Sequence, residues 1–167
     1  MERYERIKLV SGNDLLRIEK LVRIIWPIAY KDIISFEQIE YMLASGYSID
    51  SLIQQSETQK FYVFTDENNV DLGFVALEHI KGEQKTKIHK LYVLSNLQQK
   101  GIGTLLLNFV AAEAKNTGNE LLFLNVNKYN SAQIFYTKLG FEITRDVVID
   151  IGNGYVMDDY IMEKKLE

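Results

Sequence analysis

The sequence predicts an α/β fold in a single domain spanning residues 1–167, with a central mixed, mostly antiparallel sheet of about seven strands flanked by helices. Three observations predict it. Apolar residues recur with helical period in the N-terminal third and with strand period from Lys60 onward. The stretch Lys85–Leu139 reads strand, helix, strand, helix, which brings its two strands together in parallel through a right-handed crossover. Turn signatures between neighbouring strand runs on both sides of that stretch make the remaining pairings antiparallel.

The elements follow in order. Arg3–Val10 alternates enough for a first strand. Ser11-Gly12-Asn13-Asp14 then supplies capping groups, and Ile18, Leu21, Val22 and Ile25 stand at i, i+3, i+4 and i+7, so a helix is expected from about Asp14 to Trp26. Pro27, the one proline, is expected to bend or end it. Ser35 with Gln38 three residues on forms a capping box that opens a second helix through Ile39, Met42 and Leu43 toward Gly46. A shorter helix is expected over Ile49–Gln55. Lys60–Thr65 and Leu72–Ile80 are β-rich runs separated by the hairpin signal Asp66-Glu67-Asn68-Asn69, and a turn near Lys81-Gly82-Glu83 leads into a strand over Lys85–Leu94. A helix over Gly101–Asn116 carries Ile102, Leu105, Leu106, Phe109 and Val110 on one face, with Gly118 as its stop. Leu121–Val126 is a short buried strand. Ala132, Phe135, Tyr136 and Leu139 mark a helix closed by Gly140, and Phe141–Ile151 and Tyr155–Lys164 flank Gly152-Asn153-Gly154 as a terminal hairpin.

Composition excludes several chemistries. Apolar residues at 47% and charged residues at 25% describe a globular chain with a core. The absence of cysteine removes disulfides, cysteine zinc sites and a cysteine nucleophile together. Two histidines, His79 and His89, are too few for a His-rich centre, so no metal is expected. No apolar run approaches the ~18 residues of a membrane span, and MERYERIKLV is charged and alternating, unlike a signal or transit peptide. A cytoplasmic protein with no membrane partner is expected. The net charge of −4 hides an asymmetry: Lys81–Lys100 carries a local balance of +4, and Phe141–Glu167 one of −4. Such a distribution suits an anionic ligand at one end and a cationic one at the other, or simply two solvated faces. A nucleic-acid partner is not expected of a chain that is acidic overall.

The segment Leu91-Tyr92-Val93-Leu94 through Gln98-Gln99-Lys100-Gly101-Ile102-Gly103-Thr104 joins a strand directly to a long amphipathic helix. Glycines there let backbone N–H groups approach a ligand, and the helix N-terminus adds unpaired donors and a positive dipole end, a cradle for phosphate. Glycines at such junctions also occur for steric reasons alone. The spacing is neither the dinucleotide fingerprint, since residue 106 is Leu, nor a P-loop.

Gln98-x-x-Gly101-x-Gly103 after that strand resembles the acyl-CoA pyrophosphate loop of the GNAT superfamily of N-acetyltransferases. A second block, Asn127 through Asn130, Ala132, Phe135-Tyr136 and Gly140-Phe141, is similar to that superfamily's later strand–helix–strand element. The resemblance implies a GNAT-like domain with a splayed parallel strand pair at the cofactor site, and acetyl-CoA as co-substrate. It implies that Leu91 and Val93 offer backbone groups to the pantetheine arm, that amides from Gln99 to Thr104 hold the pyrophosphate, and that Asn127 or Asn130 bonds the cofactor. Tyr136 would protonate the leaving thiolate, since a phenol near pKa ~10 holds its proton at neutral pH; it also fits plain packing beside Phe135. No carboxylate stands on Lys85–Leu94, so His89, with Glu78 on the preceding strand, is the candidate base. A structural histidine and a base supplied by ordered water are the alternatives.

The acceptor site is expected between the N-terminal helices and the terminal hairpin. Trp26 and Tyr30 would form an aromatic wall or ordinary core, and Asp158 and Asp159, on opposite strand faces, would send one carboxylate into the cleft. That favours a cationic acceptor such as a polyamine. The reading is thus acetyl transfer to a primary amine by direct attack in a ternary complex, by a monomer or homodimer. A non-catalytic acyl-CoA sensor, a nucleotide-binding protein and an interaction domain are the rivals.

Overall fold

The computed structural model describes residues 2–98 and 100–167. Seven strands, β1 (Ile7–Val10), β2 (Lys60–Thr65), β3 (Asp71–Ile80), β4 (Lys85–Val93), β5 (Leu121–Asn127), β6 (Glu142–Gly152) and β7 (Tyr155–Lys165), make one sheet in the order β1-β2-β3-β4-β5-β7-β6. The β4–β5 pairing is parallel and the other five are antiparallel. Helices α1 (Leu16–Ala29), α2 (Phe36–Gly46) and α3 (Ile49–Gln55) precede β2, while α4 (Ile102–Asn116) and α5 (Ala132–Lys138) follow β4 and β5. No helix among the described residues is long and apolar enough to cross a membrane.

Two cores lie on opposite faces of the sheet. On one, Ile18, Val22 and Ile25 of α1, Leu43 of α2 and Leu52 of α3 bury against Phe61, Val63, Phe74 and Ala76. On the other, Leu106, Val110 and Ala114 of α4 bury against Val75, Leu77, Ile88, Leu122 and Leu124. Each fully buried aliphatic side chain contributes about 1.5–3 kcal/mol, so the helical spacing read from the sequence is the spacing that holds α1 and α4 down. Arg17 clamps α1 to β3 through both carboxylate oxygens of Asp71, at 3.0 and 2.6 Å.

Three local readings are corrected. The first strand is shorter than Arg3–Val10, because Glu2–Tyr4 winds into a 3-10 turn and places the Tyr4 ring edge-on to Phe109. Pro27 does not end the first helix. It stands within α1, where its missing N–H frees only the Arg23 carbonyl on an exposed turn, and the Tyr30 N–H still donates to the Trp26 carbonyl at 3.0 Å. The capping box at Ser35 is half made. Ser35 Oγ accepts from the Gln38 N–H at 3.1 Å, but the Gln38 amide donates across to the Val156 carbonyl, also at 3.1 Å. With Tyr41 Oη donating to the Ile151 carbonyl at 2.7 Å, that bond ties α2 to the β6–β7 hairpin and so builds one end of a cleft.

The decisive irregularity is in β4. Leu77 pairs with Ile88 but Ala76 pairs with Lys90, so His89 is an extra residue, a β-bulge. The parallel ladder runs from Lys85↔Leu121 to Ile88↔Leu124 and stops there. Beyond it β4 and β5 part, and α5 follows the free end of β5, with its Phe135 against Gly103 at the start of α4.

Gly73, opposite Val93 in the β3–β4 ladder, keeps this region closely paired. A Cβ on it would stand 2.8 Å from the Tyr92 carbonyl oxygen. Gly73→Ala is therefore expected to destabilise the fold by about 1–3 kcal/mol, seen as a lower urea midpoint at unchanged slope.

Candidate active site

A cleft of about 1010 Å³ opens where β4 and β5 part. Its first wall is backbone. The Leu94 N–H donates to the Leu72 carbonyl at 2.9 Å. Groups along an antiparallel strand alternate in direction, so those of Leu91 and Val93 point away from β3, into the gap. The second wall is the start of α4. Gly101 caps it at φ +82°, a conformation that favours glycine. The Leu105 N–H bonds back to the Gly101 carbonyl, and the N–H groups of Ile102, Gly103 and Thr104 form the first turn, with no acceptor among the described residues. Both readings of the glycines have a physical basis. A Cβ on Gly103 would stand 3.2 Å from the Phe135 ring, which is a steric need, and the backbone donors beside it have no acceptor among the described residues. Gln98 lines the cleft; Lys100 is exposed beside it, and Gln99 lies outside the described residues.

Asn127, Asn130 and Tyr136 line the same cleft. Asn127 Oδ1 accepts from the Tyr129 N–H and Asn130 Oδ1 from the Ala132 N–H, each at 2.9 Å, which turns the amide N–H groups of Asn127 outward to offer while the Asn130 side chain also meets Tyr30. Tyr136 is buried between Phe135 and Phe141, and burial pushes its phenol above the usual value, with Tyr30 adding to the effect.

The far end is aromatic and charged. Trp26 and Tyr30 line it together with Tyr47 and Tyr92. Tyr30 and Tyr92 share a hydrogen bond of 2.9 Å, and the Trp26 ring lies 4.5 to 5.8 Å from the other three. The wall is thus also core. His89 Nε2 stands 2.7 Å from Glu78 Oε2. Burial lowers the His89 pKa to about 4; the Glu78 bond opposes this, while Lys87 and Lys90 add to it. The imidazole is therefore neutral at neutral pH, donating from Nε2 to Glu78. The ordinary imidazole value expected for a base is not realised there, because the bulge places the ring in the interior beside two lysines.

The two aspartates separate as alternation requires. Asp159, 6% exposed, lines the cleft, and its Oδ1 is buried without a hydrogen-bond partner among the described residues. Burial raises its pKa; Asp158 adds to the rise, and Asn125 and Lys87 oppose it. Asp158 does not line the cleft. Lys128 holds it at 3.0 Å together with Asp146 at the same distance, so the expectation of a carboxylate facing an acceptor falls to Asp159 alone. The lysine-rich strand is re-read as well. Lys87 and Lys90 line the aromatic end, not the glycine loop, and Lys85 pairs with Glu83. Sequence reading passed over Lys87, Lys90, Tyr47 and Tyr92 as site residues. The available signal was a change of parity, with Thr86 and Ile88 buried before His89 and Leu91 and Val93 packed inward after it.

Residues 57–143 match the family model described as acetyltransferase (GNAT) domain. The chain is 29% identical to a spermidine N(1)-acetyltransferase of Thermoplasma acidophilum, over 96% of this chain and 97% of the relative. It superposes on the crystal structure of PaiA N-acetyltransferase from Thermoplasma acidophilum in complex with coenzyme A with a TM-score of 0.79 and 29% identity, covering 95% of this chain and 97% of that one. A GCN5-related N-acetyltransferase structure from Rhodopseudomonas palustris shares the fold at a TM-score of 0.82 and 20% identity, over 96% and 94% of the two chains.

The neutral His89 sets a pH dependence. Above its ordinary pKa of 6.5 the ring is neutral in both folded and unfolded chains; as pH falls from 6.5 toward about 4, the unfolded chain takes up a proton that the folded one refuses. Stability is lost across that window. Between about pH 7 and about pH 4.5 the wild type is expected to lose up to roughly 3 kcal/mol more than His89→Gln in urea unfolding. Parallel curves would exclude a buried neutral imidazole.

Proposed function

We propose, for a chain that belongs to the GNAT acetyltransferase family, that it moves the acetyl group of acetyl-CoA onto a primary amine of a small molecule or peptide by direct attack within a ternary complex. The observation that carries the reading is the gap between β4 and β5. It brings the edge of β4 beyond its ladder, the first turn of α4 and Tyr136 to the lining of one cleft, which supports the reading. Polyamines enter as an acceptor class because a relative is named a spermidine N(1)-acetyltransferase and because Asp159 offers a buried carboxylate.

The residues present fit a CoA thioester. The N–H groups of Ile102, Gly103 and Thr104, with Gln98 and Lys100 beside them, would hold a pyrophosphate at the positive end of the α4 dipole. Leu91 and Val93 would pair with the amides of an extended arm as a β-strand edge does, and Asn127 or Asn130 would donate to it. Acetyl-CoA supplies an activated thioester carbon and a thiolate leaving group. Tyr136, kept protonated by burial, donates its hydroxyl hydrogen to the departing sulfur. Because a thiol near pKa ~8.5 is the stronger acid, a hydrogen bond that strengthens as charge develops is the main part of that role. The attacking amine must shed a proton, and His89 would pass it on rather than store it, accepting at Nδ1 as its Nε2 proton shifts toward Glu78. Trp26 and Tyr30 bound the acceptor, and Asp159 receives its ammonium before deprotonation.

Isothermal calorimetry is expected to detect CoA binding; no heat at millimolar CoA would remove the reading. In thiol-release assays Tyr136→Phe is expected to lower kcat by about 10²-fold while CoA affinity is retained, and unchanged turnover would exclude Tyr136 as the acid. Asp159→Asn is expected to raise KM for the amine and spare that for acetyl-CoA, whereas Asp158→Asn leaves both unchanged.

A further inference from the structure

Lys90 is half-buried, with an ammonium largely withdrawn from water and no ion-pair partner among the described residues. Its Nζ donates to Gln55 Oε1 at 2.6 Å and more loosely to Gln59 Oε1 at 3.4 Å, and it lies 5.4 Å from the ring centres of both Tyr47 and Phe61. No carboxylate pairs with it among the described residues, and Lys87 is near enough to repel it. An ammonium has three N–H donors; the third has no acceptor among the described residues, and Lys90 lines the cleft. Buried charges in proteins are ordinarily paired because an isolated one is costly to desolvate. Tying α3 to the sheet through Gln55 needs only a neutral donor, so that bond does not account for a charge. Burial and Lys87 hold the Lys90 pKa down to about 8, which still leaves the group mostly protonated at neutral pH.

The same cleft holds the opposite charge: Asp159, near Tyr30, Asn125 and Lys87, has an Oδ1 without a hydrogen-bond partner among the described residues. Three lysines, Lys87, Lys90 and Lys138, line the cleft against one aspartate. Lys138 belongs to α5 beside Phe135, leaving Lys87 and Lys90 at the acceptor end. A polyamine would satisfy Asp159 and bring like charge against Lys90.

We propose that the acceptor is a zwitterion, a primary amine that also bears a carboxylate, whose ammonium is received by Asp159 and whose carboxylate completes the third donor of Lys90. The inference rests on the acetyl-transfer reading above and narrows its acceptor. Trp26 packs on both Tyr30, which feels the charge of Asp159, and Tyr47, whose ring Lys90 approaches, so the connecting part of the molecule meets an apolar, aromatic surface.

The test is a set of matched pairs in thiol-release assays with the full chain: phenylalanine against phenethylamine, and lysine against cadaverine, each pair differing by the carboxylate alone. Wild type is expected to favour the amino acid in kcat/KM by at least about tenfold, the scale of one hydrogen bond to a charged group. Lys90→Met is expected to bring the members of each pair within about twofold of each other, and Lys90→Arg to keep part of the preference. Wild-type preference for phenethylamine or cadaverine overturns the inference and leaves acetyl transfer standing. An equal fall for both members of a pair in Lys90→Met, with a lowered melting temperature, also overturns it and makes Lys90 a structural strut. Absence of CoA binding, or of thiol release with every amine, removes the acetyl-transfer reading and this inference with it.

Discussion

One inserted residue governs the architecture of the cleft. Because His89 has no partner on β3, the strand beyond it is rotated relative to the strand before it. Ile88 faces α4, but so do Leu91 and Val93, while Lys90 and Tyr92 turn to the α1–α3 face. The parallel ladder with β5 ends one residue before it, at Ile88. An interior sheet gap of this kind leaves backbone N–H and C=O groups without ladder partners, which is unfavourable unless water or a ligand bonds them. The remaining elements fit around that opening. The first turn of α4 borders it, α5 follows the end of β5, and α2 holds the β6–β7 hairpin over its far side.

The bulge also distributes charge. There His89, Lys87 and Lys90 meet in a low-dielectric region where burial disfavours the protonation of all three, both lysines lower that of His89, and Lys87 lowers that of Lys90. Glu78 stabilises one proton on His89 Nε2 but does not outweigh desolvation. The basic run read as phosphate-binding therefore divides by location. Lys100 stays with the glycine loop in solvent, and Lys87 and Lys90 enter the acceptor end. The acidic hairpin divides likewise. Asp158 is neutralised by Lys128 on the outer face, and Asp159 lies within, its Oδ1 without a hydrogen-bond partner among the described residues. Local charge sums across a strand cannot make this distinction, since consecutive residues face opposite sides and a bulge shifts the alternation.

Much of the fold was legible because its signals are local. The spacing of Ile18, Leu21, Val22 and Ile25, the Ser35 cap, the turn at Asp66 and the glycines of the terminal hairpin each act within a few residues, and each element appears within a few residues of its expected bounds. What was not legible depends on partners distant in sequence. Pro27 stays in its helix because that turn is exposed, and Gln38 abandons its cap for a carbonyl more than a hundred residues away. The site shows the same division. Gly101, Gly103, Asn127, Asn130 and Tyr136 were readable from two short motifs, and the structure gathers them around one cleft or its rim. Lys90 was not, because nothing in Lys87-Ile88-His89-Lys90 tells which way each lysine turns until the bulge is known.

The two ends of the cleft are thus built from different materials. The end suited to CoA consists mainly of backbone groups, and its sequence needs are conformational: a left-handed glycine at Gly101 and room for Phe135 at Gly103. Many sequences satisfy such needs, which is why a chain 29% identical to its relative keeps the fold at a TM-score of 0.79. The acceptor end is made of side chains from α1, α2, α3, β4 and β7 meeting at one place: Trp26, Tyr47, Gln55, Lys90 and Asp159. Each can change without altering the sheet gap that makes transfer feasible. Kinship therefore carries over the backbone-built end of the cleft far better than the side-chain end, and on the reading proposed above the amine is selected at Lys90 and Asp159.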